Sequence, residues 1–409
     1  MKDNQAKYPQ LRFKGFTDPW EQRKLGEIAI RVRGNDGRMN LPTLTISAGN
    51  GWMDQRDRFS QNIAGKEQKN YTLLRQGELS YNHGNSKLAQ FGAVFELESY
   101  NEALVPRVYH SFSVTAGAQP KFIEQMFATH RPDRELRKLV SSGARMDGLL
   151  NINYDDFMGI KVWLPSVAEQ QAIAGLLVKL DNTIALHQRK LAKLKELKQG
   201  YLQKMFPKNG SKFPQLRFAG FADAWEQRKL GAITDSFSGG TPTAGKAEYY
   251  GGEIPFIRSG EISSDSTELF ITDAGLNNSS AKMVGIGDIL YALYGATSGE
   301  TSISRINGAI NQAILAIRPT KGDDPYMIVQ WLKKQKETII STYLQGGQGN
   351  LSGSIVKDLL ITLPKNKDEQ AKVGSFFKQL DQTITLHQRK LEKLQELKKG
   401  YLKRCFADS

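Results

Sequence analysis

Apolar residues recur at alternating steps of four and three along two stretches of this chain. The first stretch carries them at Ile173, Leu177, Leu180, Ile184, Leu191, Leu194 and Tyr201, and the second at Val373, Phe377, Leu380, Ile384, Leu391, Leu394 and Tyr401. This spacing is typical of the seam of a coiled coil. It predicts two long helices, the first from Ser166 to about Lys204, which would measure roughly 57 Å at about 1.5 Å per residue.

Polar residues mark the start of each predicted helix and interrupt each seam. Ser166 and Asn366 are each followed three residues later by a glutamate, which predicts a reciprocal capping box at both helix starts. His187 and His387 fall on the two seams, where a polar residue can set the register of a helix pair. Because two ligands alone make no metal site, a register role is favoured over metal binding.

The two stretches belong to a repeat that spans most of the chain. Residues 180–206 and 380–406 share 19 of 27 positions, and residues 9–28 and 214–233 share 16 of 20. Each half therefore has a short block, a variable insert and a helical block. Each helix alone would expose its apolar stripe, so the two should pair, and antiparallel because a whole domain joins them. The short block at residues 9–20 is then expected beside the end of the second helix.

The variable inserts have the patterns of mixed α and β structure. In the second, "IPFI", "GDILYALYG" and "AILAIRP" predict strands, and "YMIVQWLKKQKETIISTYL" predicts a helix. The first insert has a matching predicted helix, "FIEQMFATHRPDRELRKLV". The predicted fold is α+β, with two globular mixed α/β domains separated by two long helices that pair as an antiparallel coiled coil with a pseudo-twofold internal repeat.

The repeat also sets the predicted domain boundaries. The inserts diverge while their scaffold is kept, which favours two different targets held in a fixed relation. The predicted segments are an N-terminal block at 1–20, a first domain at 21–165, a central helix at 166–206, a linker at 207–225, a second domain at 226–364 and a final helix at 365–409.

The charge balance favours a polyanionic partner. Lysine and arginine number 56 against 42 acidic residues, a formal net charge of +14. Nucleic acid is the first candidate, and a merely basic surface is the alternative. The single cysteine, Cys405, excludes a disulfide framework. No apolar stretch is long enough for a signal-peptide core or a membrane span, so the protein is expected to be soluble and cytoplasmic.

Two polar, glycine-rich loops are the candidate DNA-reading elements. They are "SSGARMDGLLN" at residues 141–151 and "QGGQGNLS" at residues 345–352. Asn and Gln can pair with adenine, Arg with guanine, and Gly lets the backbone approach a base closely. With neighbouring segments they give a predicted DNA-contacting set of Arg31, Arg33, Asn50, Arg56, His83, Asn85, Lys87, Arg145, Thr241, Thr243, Tyr250, Arg258, Ser259, Tyr294, Ser298, Gln348 and Asn350. The alternative is that these loops are ordinary surface turns.

The sequence carries no recognisable catalytic motif. It has no Walker loop, nucleophile elbow, His-Cys cluster or dinucleotide fingerprint, and the "GGTP" at residues 239–242 lacks the ending of a phosphate loop. Three other classes compete with a partner-dependent DNA reader. A two-ended regulator or chromosome-structuring protein should carry a helix-turn-helix, a nuclease should cluster acidic metal ligands, and a coiled-coil scaffold need not be so basic.

The whole pattern resembles the specificity subunit of type I restriction–modification enzymes. The resemblance rests on two divergent inserts closed by "LP", on helix starts containing "EQ", and on helices of the form "LD-TI-LHQRKL-KL-ELK-GYL". In addition, "GGTP…YYGGEIPFIRSGEI" is similar to the opening of a common target recognition domain in that family. The resemblance covers essentially the whole chain, although the first insert lacks "GGTP".

The resemblance implies a non-catalytic DNA-binding subunit with two target recognition domains, each reading one half of a split site. The helices would set the spacing between the halves and dock two modification subunits, which bind S-adenosylmethionine and methylate adenine. Restriction subunits that use ATP and Mg²⁺ to translocate and cleave DNA would then join. This chain itself would bind no cofactor and no metal, and would not contact a membrane.

Overall fold

A computed structural model describes residues 8–59, 65–84, 86–140, 149–208, 210–344 and 350–407. The chain divides into two compact units, one made of Met1–His187 with Lys390–Ser409 and the other of Gln188–Arg389. Each unit therefore contains one variable insert and parts of both repeated helices.

The first unit is built of short strands and short helices that lead into a long helix. The strands are β1 (Glu21–Lys24), β2 (Ala29–Val32), β3 (Leu44–Ser47), β4 (Gly51–Asp54), β5 (Thr72–Arg75), β6 (Leu79–Asn82), β7 (Ala93–Glu96), β8 (Glu102–Val105), β9 (His110–Val114) and β10 (Lys161–Leu164). The helices are α1 (Leu25–Ile28), α2 (Gln55–Phe59), α3 (Pro120–Ala128), α4 (Asp133–Leu139), α5 (Tyr154–Met158) and the long α6 (Val167–Met205), with a 3-10 turn at Gly65–Asn70.

The second unit repeats this plan. Its strands are β11 (Glu226–Lys229), β12 (Thr234–Ser238), β13 (Tyr250–Ile257), β14 (Phe270–Ile271), β15 (Lys282–Val284), β16 (Ile289–Ala292), β17 (Thr301–Ile303), β18 (Gly308–Ile310), β19 (Ile314–Pro319) and β20 (Leu360–Leu363). Its helices are α7 (Asp273–Asn277), α8 (Pro325–Tyr343), α9 (Gly353–Asp358) and the long α10 (Lys367–Arg404), with 3-10 turns at Leu230–Ala232, Ala247–Tyr249 and Ser259–Glu261.

Each insert has its own central sheet, and the two sheets have the same strand arrangement although the sequences differ. The strand order is β2-β9-β6-β7 in the first unit and β12-β19-β16-β17 in the second, and all neighbours are antiparallel. Tyr81 in β6 and Tyr291 in β16 are fully buried at matching places. The second insert adds the sheet β14-β13-β18-β15, where the first has the pairs β3-β4 and β5-β8. The predicted α+β class with an internal repeat is confirmed.

The short repeated block of each half pairs with the end of its own insert. β1 runs antiparallel to β10, with Glu21 opposite Leu164, and β11 runs antiparallel to β20, with Glu226 opposite Leu363. The "EQRK" segments therefore close each domain against the strand that precedes its "LP". Both ends of a domain thus meet at the start of the helix that follows it.

The long helices match their predicted extents and pair antiparallel within each unit. In the first unit, Asp181 of α6 forms an ion pair with Lys398 of α10 at 2.6 Å. In the second unit the equivalent residues form the same ion pair, but here the lysine, Lys198, is on α6 and the aspartate, Asp381, is on α10, at 2.6 Å. The predicted seam residues, including the two histidines, are all buried or half-buried. Neither helix is apolar enough to cross a membrane, and this holds for all helices in the described ranges.

Aromatic side chains join the short block, the insert and the helix end in each core. In the first unit the Trp20 ring lies 5.8 Å from Phe122 and 6.3 Å from Phe406 between ring centroids. The Leu11 N–H donates to the Arg404 carbonyl oxygen at 2.9 Å. These contacts confirm the expectation that residues 9–20 lie beside the end of the second helix. Buried aromatic rings of this size dominate the apolar energy of such a junction.

One predicted helix is wrong in its extent. Residues 122–140 form two helices, α3 and α4, with a break around His130, whose φ of 60° is left-handed. Pro132 explains the break, because proline has no N–H to donate and disfavours helical backbone at the residue before it. The apolar spacing continued across the proline and concealed the turn.

Candidate nucleic-acid interface

Four polar residues from separate loops meet at one end of the second domain's central sheet, three through their side chains and Asn350 through its backbone. The Thr241 hydroxyl donates to the Gln312 side-chain oxygen, and Tyr294 forms an isolated backbone bridge with Asn350. Gln312 also hydrogen-bonds the Tyr294 hydroxyl, whose pKa is raised because the ring is partly buried. The structure therefore brings together three of the predicted residues. It adds Gln312, which no sequence pattern marked because it lies in a turn outside the polar loops.

The two glycines of "GGTP" are required by packing. A Cβ atom at Gly239 would lie 1.9 Å from the Ile310 carbonyl oxygen, and one at Gly240 would lie 1.9 Å from the Ser280 hydroxyl oxygen. No side chain fits at either position. The chain therefore passes close over β18 at this point, and this close passage places Thr241 at the surface.

Two further predicted residues flank this group. The Tyr250 hydroxyl donates to the Pro242 carbonyl oxygen at 2.6 Å, which fixes the loop between Thr241 and Thr243. The Thr243 side chain is exposed. Gln348, also predicted, lies outside the described residues. The Tyr250 side chain thus holds the loop on its protein side, while Thr241 and Thr243 are exposed to solvent.

Two of the next three predicted residues in the second domain, Arg258 and Ser298, have partners within the domain. Arg258 donates to both carboxylate oxygens of Glu261 at 2.9 and 3.0 Å, and this pairing lowers the pKa of Glu261 to about 2. Ser259 is half-buried in the 3-10 turn that follows. Ser298 is buried, and its hydroxyl donates to the Gly295 carbonyl oxygen at 2.9 Å. A DNA contact from Ser298 would require it to leave this partner.

In the first domain, one pair of predicted arginines lies on and after β2. The Arg31 guanidinium sits over the Tyr154 ring at 4.1 Å from the ring centroid. Arg33 follows the strand and is exposed. Asn85 and Arg145, which also belong to the predicted DNA-contacting set, fall outside the described residues.

The remaining surface candidates of the first domain occupy turns. Asn50 is exposed in the turn between β3 and β4. Arg56 is the second residue of α2 and forms an ion pair with Asp54 at 2.8 Å, with its own side chain largely exposed. Lys87 is exposed in the loop between β6 and β7. These three remain predicted contacts, each accessible from solvent.

His83 differs from the other candidates because it is buried. Its Nδ1 lies 2.7 Å from the Leu150 carbonyl oxygen and its Nε2 lies 2.9 Å from the Val108 carbonyl oxygen. Its ring stacks on His110, with centroids 5.0 Å apart, and burial lowers the pKa of His110 to about 4. Both ring nitrogens of His83 are therefore engaged inside the domain, where the side chain supports the segment that follows the polar loop.

Both domains hold the end of their candidate loop by the same backbone contact. The Leu150 N–H donates to the His83 carbonyl oxygen at 2.8 Å, and the Leu351 N–H donates to the Leu293 carbonyl oxygen at 2.9 Å. His83 and Leu293 occupy the same place, two residues beyond the buried tyrosine of each central strand. The two polar loops thus return to the same end of the same sheet in both domains.

Each predicted capping box is half correct: Ser166 and Asn366 accept from the backbone N–H of the glutamate three residues on, at 3.4 and 3.3 Å, but neither glutamate side chain reaches back. The Glu169 carboxylate does not turn back to the helix start but accepts two hydrogen bonds from Arg12, both at 2.7 Å. Glu369 is held in the same way by Arg217 at 2.6 and 2.7 Å. A buried carboxylate gains more from a two-pronged guanidinium than from one backbone N–H. The signal for this pair was that "LRF" occurs once in each half and that an "EQ" stands in the first turn of each long helix.

The glutamine after each glutamate joins three segments. Gln170 accepts from the Gln119 backbone N–H at 2.9 Å, and Gln370 accepts from the Asp324 N–H at 2.9 Å. The same side chains donate to the carbonyl oxygens of the "LP" prolines at 2.9 and 2.8 Å. Both glutamines are fully buried. They therefore tie the long helix to the domain helix, α3 or α8, that begins at the next residue.

A cation from each domain caps the end of a long helix. Arg131 donates to the Leu402 and Lys403 carbonyl oxygens at 3.2 and 2.6 Å, at the end of α10. Lys334 donates to the Pro207 carbonyl oxygen at 2.7 Å, just past the end of α6. Positive charge is favourable there because the last carbonyl groups of a helix lack partners and carry partial negative charge. Each domain is therefore held by the start of its own helix and the end of the other.

We expect Arg217→Ala to destabilise the second unit by about 3–5 kcal/mol, because it leaves the buried Glu369 carboxylate without its charged partner. Urea denaturation followed by tryptophan fluorescence measures this loss. Arg389→Ala is the matched control, because its ion pair with Asp265 has side chains 60% and 62% exposed and should contribute only about 0–1 kcal/mol. Equal losses in the two variants would contradict the role assigned to the buried pair.

No group of three or more histidine, cysteine, aspartate or glutamate side chains within the described ranges is arranged to hold a metal ion. The polar residues at the sheet ends are instead amides, hydroxyls and guanidiniums, which donate to and accept from bases and phosphates. This arrangement is suited to binding a nucleic acid surface.

Comparison with known proteins agrees with this arrangement. Residues 222–396 match the family model described as the type I restriction modification DNA specificity domain. The second half of the chain is therefore similar to a type I restriction specificity domain. Its fold is similar to that of the S subunit of a type I restriction–modification system from M. genitalium, with a TM-score of 0.67 and 15% identity over 98% of this chain and 99% of that one.

Curated relatives point to the same family. A putative type I restriction enzyme MjaX specificity subunit from Methanocaldococcus jannaschii is 23% identical over 61% of this chain, and the MjaVIII specificity subunit of that organism is 22% identical over 64%. The matched regions span 59% and 64% of those relatives' own lengths. A further similar chain, with a TM-score of 0.51 and 16% identity over 96% of this chain and 99% of that one, comes from work on complex assembly and conformational transition of a type I system.

Proposed function

We propose that this chain is the DNA-recognising specificity subunit of a type I restriction–modification complex, and that each domain reads one half of a bipartite target. One observation carries the proposal. The two domains share a sheet, a loop-end contact and a set of anchoring residues, yet they differ in the side chains at the sheet end where the polar loops return. Two different half-sites require this combination of a common support and different reading residues.

The group around Thr241 and Asn350 has the chemistry of base reading. Amide side chains such as those of Gln312 and Asn350 can bond adenine through its N6 and N7 atoms, and hydroxyl groups serve either base of a pair. The formal net charge of +14 supplies attraction to phosphates that does not depend on sequence. The polar group would therefore confer selectivity, while the overall charge confers affinity.

We expect Asn350→Ala to relax recognition at one base position and to cost about 1–3 kcal/mol in discrimination there. Competition binding with duplexes that vary one base at a time measures this. Asn277→Ala is the control, because Asn277 is exposed at the end of α7 on a different part of the second domain. Uniform weakening on all sequences would instead assign Asn350 to a phosphate contact.

The long helices carry an unused apolar side, which supports their proposed role in docking modification subunits. Leu197 and Leu397 occupy the same position in the two repeats and are 46% and 45% exposed. Each is preceded by an exposed lysine on the same side, four residues earlier. Exposed leucines conserved between two helices that otherwise bury their apolar seam fit a surface that a partner covers twice.

We expect Leu197→Asp with Leu397→Asp to abolish stable assembly with modification subunits while leaving the fold intact, because both side chains lie outside the seam. Gln199→Asp is the control, since Gln199 is exposed but lies about 200° further round the helix at about 100° per residue. Sedimentation velocity of the mixed proteins reports assembly. Undiminished assembly of the double variant would remove these leucines from the docking surface.

Catalysis in this proposal belongs to the partners. S-adenosylmethionine would be bound by the modification subunits, and ATP with Mg²⁺ by the restriction subunits, while this chain contributes recognition and geometry. The decisive experiment is to sequence methylated adenines in a host with and without this chain. A bipartite methylated sequence that appears only with the chain supports the proposal. An unchanged methylation pattern despite expression of the complex would instead favour a DNA-binding regulator without restriction partners.

A further inference from the structure

A cleft of about 950 Å³ opens in the second unit between the domain and α10. It is bordered by the turn at 286–287, the end of β17, the first turns of α8 and one side of α10. Its rim carries exposed apolar side chains, with Ile286 67% and Leu386 53% exposed. Nothing in the base-reading proposal accounts for this cleft.

Three cations in this cleft have no partner. Arg305, Lys333 and Lys378 line it, and none makes a hydrogen bond or ion pair with any residue that the structure describes. Partial burial lowers the pKa of Lys333, and the nearby Lys198 adds to this effect. Arg305 and Lys378 are exposed, whereas Lys333 is half-buried, and a cation withdrawn from water is costly unless an anion joins it. The cleft therefore has the electrostatics of an unfilled anion site.

The carboxylates of the cleft are already engaged. Asp324 accepts from the Met327 backbone N–H at 2.7 Å, where it caps α8. Asp381 accepts from the Tyr326 hydroxyl at 2.6 Å and pairs with Lys198 at 2.6 Å. Asp381 attracts Lys333 and Asp324 attracts Lys378 at longer range, but neither carboxylate forms an ion pair with these cations. The positive charge of the cleft is thus available to a ligand.

The corresponding cleft of the first unit has the opposite charge. It measures about 480 Å³ and is lined by Glu96, Glu98, Glu124 and Asp181, four carboxylates that share only two lysine partners among the described residues, Lys121 and Lys398. Burial raises the pKa of Glu96 to about 7. Aligning the strand registers matches Arg305 with Glu98. Aligning the prolines that begin α3 and α8 matches Lys333 with Ala128, and the helix repeat matches Lys378 with Val178. The two domains therefore share their anchors but differ in these clefts.

The position of the cleft argues against DNA as its ligand. Strand β16 begins beside the cleft, after residue 287, and ends beside Tyr294 and Asn350. The predicted reading residues and the cleft thus lie at opposite ends of one strand. A phosphate group would not contact the apolar rim. A peptide segment with acidic and apolar side chains would match both the cations and the apolar rim.

We infer that the cleft of the second unit binds an acidic segment of a partner protein, and that the cleft of the first unit does not bind this segment. The inference rests on the proposed function, in which that partner is a modification subunit. Two identical modification subunits would then be held unequally, because only one finds a complementary cleft.

The test uses the full chain mixed with its modification subunit. Arg305→Glu with Lys378→Glu reverses two exposed charges in the cleft, and Lys321→Glu with Lys357→Glu is a control with the same charge change at exposed positions outside the lining. Mass photometry over a dilution series measures how many modification subunits remain bound. We expect the cleft variant to release one of the two roughly a hundredfold more readily, about tenfold per charge, and the control to behave as the unaltered chain.

A second measurement identifies the occupant. A benzophenone amino acid in place of Lys378 should crosslink to a modification-subunit peptide rich in aspartate and glutamate. Unchanged stoichiometry and affinity in the cleft variant would overturn the inference alone. Intact assembly with weaker binding to all DNA duplexes would assign the cleft to phosphate and also overturn it. An unaltered chain that binds no modification subunit at all would remove the proposed function itself.

Discussion

Replacing residues 234–364 with the same region of a relative will change one half of the methylated sequence and leave the other half intact. The physical reason is the location of the anchors. Arg217, Glu369 and Gln370 hold the second domain but lie outside the exchanged segment, as does β11. Strand β20 lies inside it, but its pairing with β11 uses only backbone groups. The new domain should therefore attach in the old orientation.

Two features sharpen this exchange. The donor segment should carry a cation at the place of Lys334, because that ammonium caps the end of α6. Exchange of residues 29–165 is the reciprocal control and should change only the other half-site. Methylation-sensitive sequencing of the host genome reads both outcomes. A change in both halves after a single exchange would show that the domains do not read independently.

Inserting four residues into both long helices, between Ile184 and Leu191 and between Ile384 and Leu391, will lengthen the gap between the two half-sites. Each helix grows by about 6 Å, close to two base pairs at roughly 3.4 Å each. The bases read at each end should stay the same, because the domains and their anchors are untouched. The insertion also disturbs the seam as a stutter, so some stability is lost.

A seven-residue insertion in both helices is the matched control, since a whole heptad preserves the seam and adds about 10 Å. An insertion in one helix alone should prevent pairing and abolish methylation. The preferred gap is measured on a library of targets with variable spacing, within the twist and bending that DNA tolerates. A gap that stays constant in a folded, methylating variant would show that the helices dock partners without setting the distance.

The long helices could be predicted from the sequence because their information is local. Heptad spacing and polar starting residues lie within one segment, and Val167–Met205 differs from the predicted helix by one residue at each end. Strands such as Ile314–Pro319 were also predictable, because a run of apolar residues ended at a proline. The repeat itself was visible from identity alone.

The joints and the reading face could not be predicted in the same way. The pairing of Arg12 with Glu169 connects positions that are distant in sequence, and a local rule assigned that glutamate to a capping box instead. Gln312 was missed because only the fold brings its turn beside Thr241. His83 was selected for its residue type, but its burial depends on strands β6 and β9 and on the return of residue 150. Burial and long-range partners decide these roles.

The attachment of each domain to the start of its own helix and the end of the other has a consequence for how new specificities arise. The arginine–glutamate pair and the buried glutamine are the same in both halves, so the chain contains two equivalent attachment sites for a domain. The repeated protein blocks that frame a domain are also repeated stretches of coding sequence. A genetic crossover within those stretches would bring in a domain whose contacts with the long helices are already suitable at either position. Recombination can then exchange whole domains between positions and between genes without changing the residues that attach them.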